Sequence, residues 1–296
     1  MKKFLFLMCI LMVPVYVVSQ EFYYQVGTTS ALWKNPTTAD FKEAKGEGIN
    51  YIEVAFNQCY RGVPPAEVSN RIYQMKQMVD SAGIKVWSIH LPFSRTLDIS
   101  VLDDSLRAVN VAFMSEMIKQ AAMFNPQRLV LHPSSEPIAD DEREMRLQKA
   151  KESIGYLKHC ADSLQLQLCI ENLPRTCLGN TPEELLSIVE DIPGLKVCFD
   201  TNHYFGGTLR HFIEVLGTYI GTIHASDYDF KNESHWLPTQ GDINWKELVG
   251  LLQETGYRGA FMYEATKDRY IKKVRLTPKQ VRMSFEKIQK QFLNQN

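Results

Sequence analysis

Lys196-Val197-Cys198-Phe199-Asp200-Thr201-Asn202-His203 and Ile220-Gly221-Thr222-Ile223-His224-Ala225-Ser226-Asp227 share one layout. In each, a short run rich in β-branched or aromatic residues reaches a side chain that can hold a metal or move a proton. A helical segment containing His211 separates them. Strand, helical return and strand make a βα unit, which implies a parallel sheet. Toward both ends of the chain the same alternation recurs, for eight strands in all. The others are Phe22–Thr28, Asn50–Ala55, Lys85–His90, Arg128–His132, Gln167–Glu171 and Gly259–Glu264. Helical patterns lie between them over Pro65–Ala82, Ser100–Phe124, Asp140–Ser163, Thr181–Val189 and Asn244–Glu254, and Pro278–Phe292 closes the chain. Thr181-Pro182-Glu183-Glu184 is a helix start by its cap, proline and acids. The expected fold is α/β, a (β/α)₈ TIM barrel in a single domain. A doubly wound sheet would usually carry a glycine-rich phosphate turn after an early strand. The first such turn reads Gly27-Thr28-Thr29-Ser30 and lacks it.

The strands end alike. Glu53, His90, His132, Glu171, Asp200, His224 and Glu264 stand at their carboxyl ends, and in a barrel those ends converge on one mouth where active sites are built. Two residues earlier come Tyr51, Ser88, Val130, Cys169, Cys198, Thr222 and Met262, which by strand alternation fill an interior layer beneath. Of seven histidines, His159 and His211 fall in helical segments, and His90, His132, His203, His224 and His235 at strand ends or in adjoining loops. Glu171, Asp200, His224 and Glu264 offer three carboxylates and an imidazole. That set suits Mn²⁺, Mg²⁺ or Co²⁺, with Zn²⁺ compatible. Cys169 and Cys198 sit one layer down and read as buried thiols.

The first residues read Met1-Lys2-Lys3, an apolar run from Phe4 to Val18, then Ser19-Gln20, the layout of a secretory signal peptide. Residues 1–19 are therefore expected to be removed, leaving 20–296 as an exported barrel, periplasmic or extracellular. The run holds Pro14 and is shorter than the roughly 20 residues of a spanning helix, so no stable membrane anchor is expected. Losing Lys2 and Lys3 takes the formal charge from −1 to −3. With no basic stripe, no nucleic-acid partner is expected. Cys59, Cys160, Cys169, Cys177 and Cys198 show no framework spacing, although a disulfide through Cys177 stays open. Trp33, Phe56, Phe93, Tyr204 and Trp236 follow strand ends and suit either a sugar pocket or the contacts of a homo-oligomer.

Ser88-Ile89-His90-Leu91-Pro92, Leu131-His132-Pro133, Ile170-Glu171-Asn172, Phe199-Asp200-Thr201-Asn202-His203, Ile223-His224-Ala225-Ser226-Asp227 and Tyr263-Glu264-Ala265, in this order, resemble the xylose isomerase-like TIM barrels. That superfamily holds sugar isomerases and epimerases, inosose dehydratase-like enzymes and endonuclease IV-like repair enzymes. Its ketose 3-epimerase branch implies that Glu171, Asp200, His224 and Glu264 bind one divalent metal. It also implies that Glu171 and Glu264 form the acid/base pair and that His203 contacts a small carbohydrate substrate. Two positions depart from that branch. Phe230 stands where an arginine usually follows the metal histidine, and Cys177 where a second glutamate usually follows Glu171. Arg175 could supply a positive charge instead. The endonuclease IV-like pattern is matched at His90, His132, Glu171, Asp200, His203, His224, His235 and Glu264, with Glu233 in place of an aspartate. His90, His132, His235, Arg175 and Trp236 are thus candidate substrate contacts or further metal ligands.

Export and acidity favour carbohydrate chemistry over DNA cleavage. The expectation is a metal-dependent sugar isomerase or epimerase working through an enediolate. A lyase, hydratase or keto-glycoside-processing enzyme is the alternative on the same site, and an endonuclease IV-like phosphodiesterase or a noncatalytic sugar-binding barrel ranks lower.

Overall fold

The computed structural model describes residues 21–271 and 275–294. The expected leader, residues 1–19, lies outside the described residues. The strands are β1 (Val26–Thr29), β2 (Tyr51–Ala55), β3 (Lys85–His90), β4 (Arg128–Leu131), β5 (Leu168–Glu171), β6 (Lys196–Asp200), β7 (Ile220–His224) and β8 (Phe261–Tyr263). All ladders are parallel, and the order β7-β6-β5-β4-β3-β2-β1-β8 follows the chain around a ring. A parallel bridge between Ala225 and Tyr263 joins β7 to β8 and brings the ring round to a (β/α)₈ barrel in one domain.

The helices are α1 (Thr38–Gly46), the single turn α2 (Asn57–Tyr60), α3 (Val68–Ala82), α4 (Asp104–Ala121), α5 (Arg143–Ser163), α6 (Pro182–Asp191), α7 (Leu209–Leu216), α8 (Trp245–Glu254) and α9 (Pro278–Leu293). Local chemistry sets their starts. Asp103 accepts from the Leu106 N–H and so begins α4 later than the apolar pattern suggests. Thr277 and Gln280 form a reciprocal capping box ahead of Pro278. Pro65–Glu67 is a 3₁₀ turn, not the first turn of α3, and α3 stops at Gly83 in the left-handed region (φ 63°). Among the described helices none is long and apolar enough to cross a membrane.

Residues facing outward from the ring, such as Ile52, Val54, Ile89, Leu129, Ile170, Val197, Phe199 and Ile223, are fully or almost fully buried beneath the helices. Each contributes about 1.5–3 kcal/mol by leaving water. Inside the ring, Val130, Cys169 and Cys198 pack together, as do Trp87, Ala260 and Met262 with Tyr51. Trp87 reaches the interior because β3 bulges there: Ile52 pairs with Val86, and Glu53 with Ser88. Its indole N–H donates to Thr222 Oγ1 at 2.9 Å. The packed layer closes the barrel below, so the polar strand ends stand on a rigid floor. The five cysteines among the described residues, Cys177 included, are unpaired thiols.

Candidate metal centre

Glu171, Asp200 and His224 are the last residues of β5, β6 and β7, and Glu264 directly follows β8. One ligand atom from each lies within 4.8 Å of every other. The focus is His224 Nδ1, at 2.9 Å from Glu264 Oε2, 3.3 Å from Glu171 Oε1 and 4.0 Å from Asp200 Oδ2. Asn172 pins the tops of β5 and β6 together. Its Oδ1 accepts from the Asp200 N–H at 2.7 Å, and its Nδ2 donates to the Asp200 carbonyl at 2.9 Å.

The donor set fits a divalent cation. Asp200 Oδ2 and Glu264 Oε2 are buried without a hydrogen-bond partner, the latter lying near His224 Nδ1 but without hydrogen-bond alignment. Among the described residues no Lys or Arg pairs with Glu53, Glu171, Asp200 or Glu264, so the ion-pair partners of these four clustered carboxylates are histidines. An ion held through oxygen and one imidazole would relieve desolvation that costs several kcal/mol per buried charge. Cys198 Sγ also approaches Glu171 and His224, but burial pushes this thiol well above the ordinary range and keeps it protonated.

Without an ion, the groups share protons. Burial alone would lower His90, His203 and His224. For His90 the hydrogen bond and charge of Glu171 override it and lift the ring to about 9. His203 and His224 are held well above the ordinary imidazole value, His203 chiefly by Asp200 and Glu171, and His224 by the groups around it, Cys198 first and then Glu264, Glu53 and Glu171. Burial also raises Asp200, to about 7. Glu171 and Glu264 experience the same burial but end below the usual carboxylate range, because His224 and neighbouring histidines favour their anions. His132 goes the other way, lowered by burial.

Two further ligand groups flank the first. His90 Nε2 and His132 Nε2 lie 3.1 and 3.2 Å from Glu171 Oε2, so Glu171 faces histidines through both oxygens. His203, Glu233 and His235 form the other group. His235 Nε2 is 3.2 Å from Glu233 Oε1, while His203 Nδ1 donates to the Asn172 carbonyl at 3.0 Å. The hydrogen bonds of His203 and His235 drive Glu233 far below its ordinary value, with help from Arg175. A cavity of about 530 Å³ opens above, with Arg175, Asn180, His203, Phe205, Lys231 and Glu233 in its wall. Arg175 joins three loops, holding both Glu136 oxygens at 2.8 and 2.9 Å and Glu233 at 2.5 Å.

The aromatic residues separate. Phe93 stacks on His132 with ring centroids 4.2 Å apart. Phe56 and Tyr204 are instead buried against Phe124 and Phe212, and Trp33 packs on Phe41. Trp236 bridges Asp227 and Lys267 through its backbone and carries the Arg269 guanidinium over its ring at 4.5 Å. Sequence reasoning placed Glu53 at the mouth but not in the site. It is fully buried and its Oε2 accepts from His224 Nε2 at 2.9 Å. A glutamate inside the otherwise apolar β2 was the available signal.

Residues 41–290 match the family model described as "Xylose isomerase-like TIM barrel". This chain belongs to that family. An uncharacterized protein of Methanocaldococcus jannaschii is 29% identical over 185 residues, 60% of this chain and 63% of that protein, so the match spans less than two thirds of that relative. A D-tagatose 3-epimerase-like protein superposes with a TM-score of 0.74 at 22% identity, covering 90% of this chain and 96% of the other. D-psicose 3-epimerase from Clostridium cellulolyticum H10, solved with D-tagatose, gives 0.74 at 18% identity, covering 90% and 99%. At such identities these two likenesses speak for the fold.

Proposed function

We propose that this family member is a divalent-metal-dependent sugar isomerase or epimerase acting on an extracytoplasmic sugar or keto-sugar. The observation that carries the reading is the meeting of Glu171, Asp200, His224 and Glu264 within 4.8 Å at the barrel mouth. The sugar epimerases among the structural neighbours agree with it, and the leader-like residues 1–19 support the location. These four residues would hold the metal, which when bound polarises a carbonyl and its neighbouring hydroxyl and so lowers the cost of an enediolate.

The remaining chemistry is proton traffic. Glu171 ends β5 and Glu264 follows β8, strands that are not adjacent in the ring, so their carboxylates approach His224 from different strands. One takes the proton from the carbon next to the carbonyl. The other returns a proton to the opposite face, inverting that centre. His203 stands in the cavity wall with Nδ1 donating to the Asn172 carbonyl and Nε2 at 3.6 Å from Glu233 Oε1, so a substrate hydroxyl would meet Nε2 beside that carboxylate. Turnover of a panel of ketoses, aldoses and keto-glycosides in deuterated water tests this. Deuterium at an epimerised or isomerised carbon is expected. Release of water or an aglycone without such exchange would replace the reading by a lyase or hydratase.

A second reading draws on the groups His90/His132/Glu171 and His203/Glu233/His235, which extend the donor set beyond one ion. Several ions would suit hydrolysis of a phosphodiester better than proton transfer. The metal-to-protein ratio separates the two: one ion fits the sugar site, and two or three, together with nicking of abasic DNA, would displace it.

A further inference from the structure

The two ring nitrogens of His224 have different neighbours. Nδ1 faces Glu264, Glu171 and Asp200, whereas Nε2 faces Glu53 Oε2 at 2.9 Å. The same Glu53 oxygen accepts from Ser88 Oγ at 2.7 Å. Glu53, Ser88 and His224 are all without solvent exposure. The bulge at Trp87 sets Ser88, and not the indole, in register with Glu53, so the backbone of β3 is shaped to deliver this hydroxyl. Glu53 Oε1 has no hydrogen-bond partner, and among the described residues no Lys or Arg pairs with the carboxylate. A side chain present for packing alone would not bring an unpartnered polar oxygen to this position.

We infer that Glu53, steadied by Ser88, is a positioning residue for the metal centre: it accepts the Nε2–H of His224 and thereby presents the Nδ1 lone pair to the ion. Glu53 Oε2 already accepts from Ser88 Oγ and meets Nε2 as an acceptor too, so the ring carries its proton on Nε2. With that proton fixed, Nδ1 is the nitrogen left for ligation, on the side where the three carboxylates converge. The negative charge behind the ring also makes the imidazole a stronger donor. The inference rests on the proposed role of His224 as a ligand.

Zn²⁺ binding to the purified chain, followed calorimetrically, provides the test. Glu53→Leu should weaken binding by roughly 10–100-fold, as loss of such a partner does elsewhere. Glu53→Gln, which keeps an acceptor but no charge, should fall between Glu53→Leu and wild type, and Ser88→Ala should lose least. In ¹⁵N spectra of the Zn²⁺-loaded wild type the His224 proton should sit on Nε2, a signature that a packing role would not set. The inference is overturned if that proton sits on Nδ1, or if folded Glu53→Gln and Glu53→Leu bind within about twofold of wild type. Should Glu53→Leu fail to fold, the glutamine variant and the spectrum decide. Wild type that binds no Zn²⁺ would sink the ligand reading and this inference with it. Unchanged binding in the variants would sink the inference only.

Discussion

The floor of the barrel mouth, Glu171, Asp200, His224 and Glu264, is carried on strand ends, whereas its rim, Arg175, His203, Glu233 and His235, is carried on loops. The floor rests on packed interior side chains and on ladder hydrogen bonds. The rim holds non-glycine residues in the left-handed region, Arg175 at φ 56° and His235 at 50°, joined on the same loop by Phe230 at 58° and Thr239 at 76°. Each such residue costs on the order of 1–3 kcal/mol, which the surrounding contacts must offset. A floor that cannot shift suits metal and proton chemistry. A rim assembled from strained loops suits choice of substrate, because loops vary without disturbing the barrel.

The largest effect should come from the floor. Glu264→Gln removes a proposed ligand and half of the acid/base pair, so turnover should fall by about 10³-fold or more, together with metal content. Wild-type activity and metal content in this variant would dissolve the distinction between floor and rim.

Metal affinity should also depend steeply on pH. Without an ion, Asp200 is raised to about 7 and His90 to about 9, while His203 and His224 stand well above their ordinary value. The ion displaces protons, so affinity should rise from pH 7 to 9, by about tenfold per unit for each proton released. Stability of the metal-free protein should run oppositely. Histidines raised on folding stabilise fully below their unfolded value of about 6.5, and this contribution fades as pH rises through their folded values. Melting curves with and without metal across this range should therefore diverge as pH increases. Parallel curves would mean that the ion does not replace these protons.

The rim is tied to the floor by Asp227, whose buried carboxylate accepts from the backbone of Tyr228, Thr239 and Ile243 and from Trp245 Nε1. An amide there offers one acceptor and a misplaced donor. Asp227→Asn should therefore cost about 1–3 kcal/mol for each donor left unsatisfied and loosen the loop that carries Glu233 and His235. A lowered melting temperature and raised KM, with floor metal affinity kept within a few-fold, would hold the two regions apart. Equal loss of metal would merge the two regions.

The same division explains what could be read from sequence. Strand ends were legible because β3, β6 and β7 are short apolar runs that stop on a polar residue, and a barrel sends every such end to one place. The late start of α4 hinged on one capping carboxylate, Asp103, against an apolar pattern that began earlier. Glu53 was visible as a charge in β2, but its partner was not: the bulge at Trp87 breaks the period-two alternation that locates neighbours. Phe56 and Tyr204 follow strand ends as a sugar pocket would ask, yet their rings turn into the core, a choice made by tertiary packing. The contacts of Arg175 were likewise hidden, since Glu136 and Glu233 come from loops whose paths local pattern does not fix.

Arg175 gives the smallest effect and the finest test of the comparison. Its guanidinium is about half exposed, so its ion pairs with Glu136 and Glu233 are screened and each contributes little to stability. What it fixes is geometry, holding Glu233 while His235 bonds the same carboxylate and His203 lies 3.6 Å from it. Arg175→Met keeps the length of the side chain and removes all its donors. Glu233 then retains its histidines but is released from the loops around Arg175 and Glu136, so the wall of the cavity widens. KM should rise by about three- to tenfold while kcat stays within about twofold, because an interaction shared by ground and transition states has been lost. Metal affinity at the floor should not move. A fall in kcat that matches the fall in kcat/KM would instead place Arg175 against the reacting atoms, and the rim would then share in the chemistry assigned to the floor.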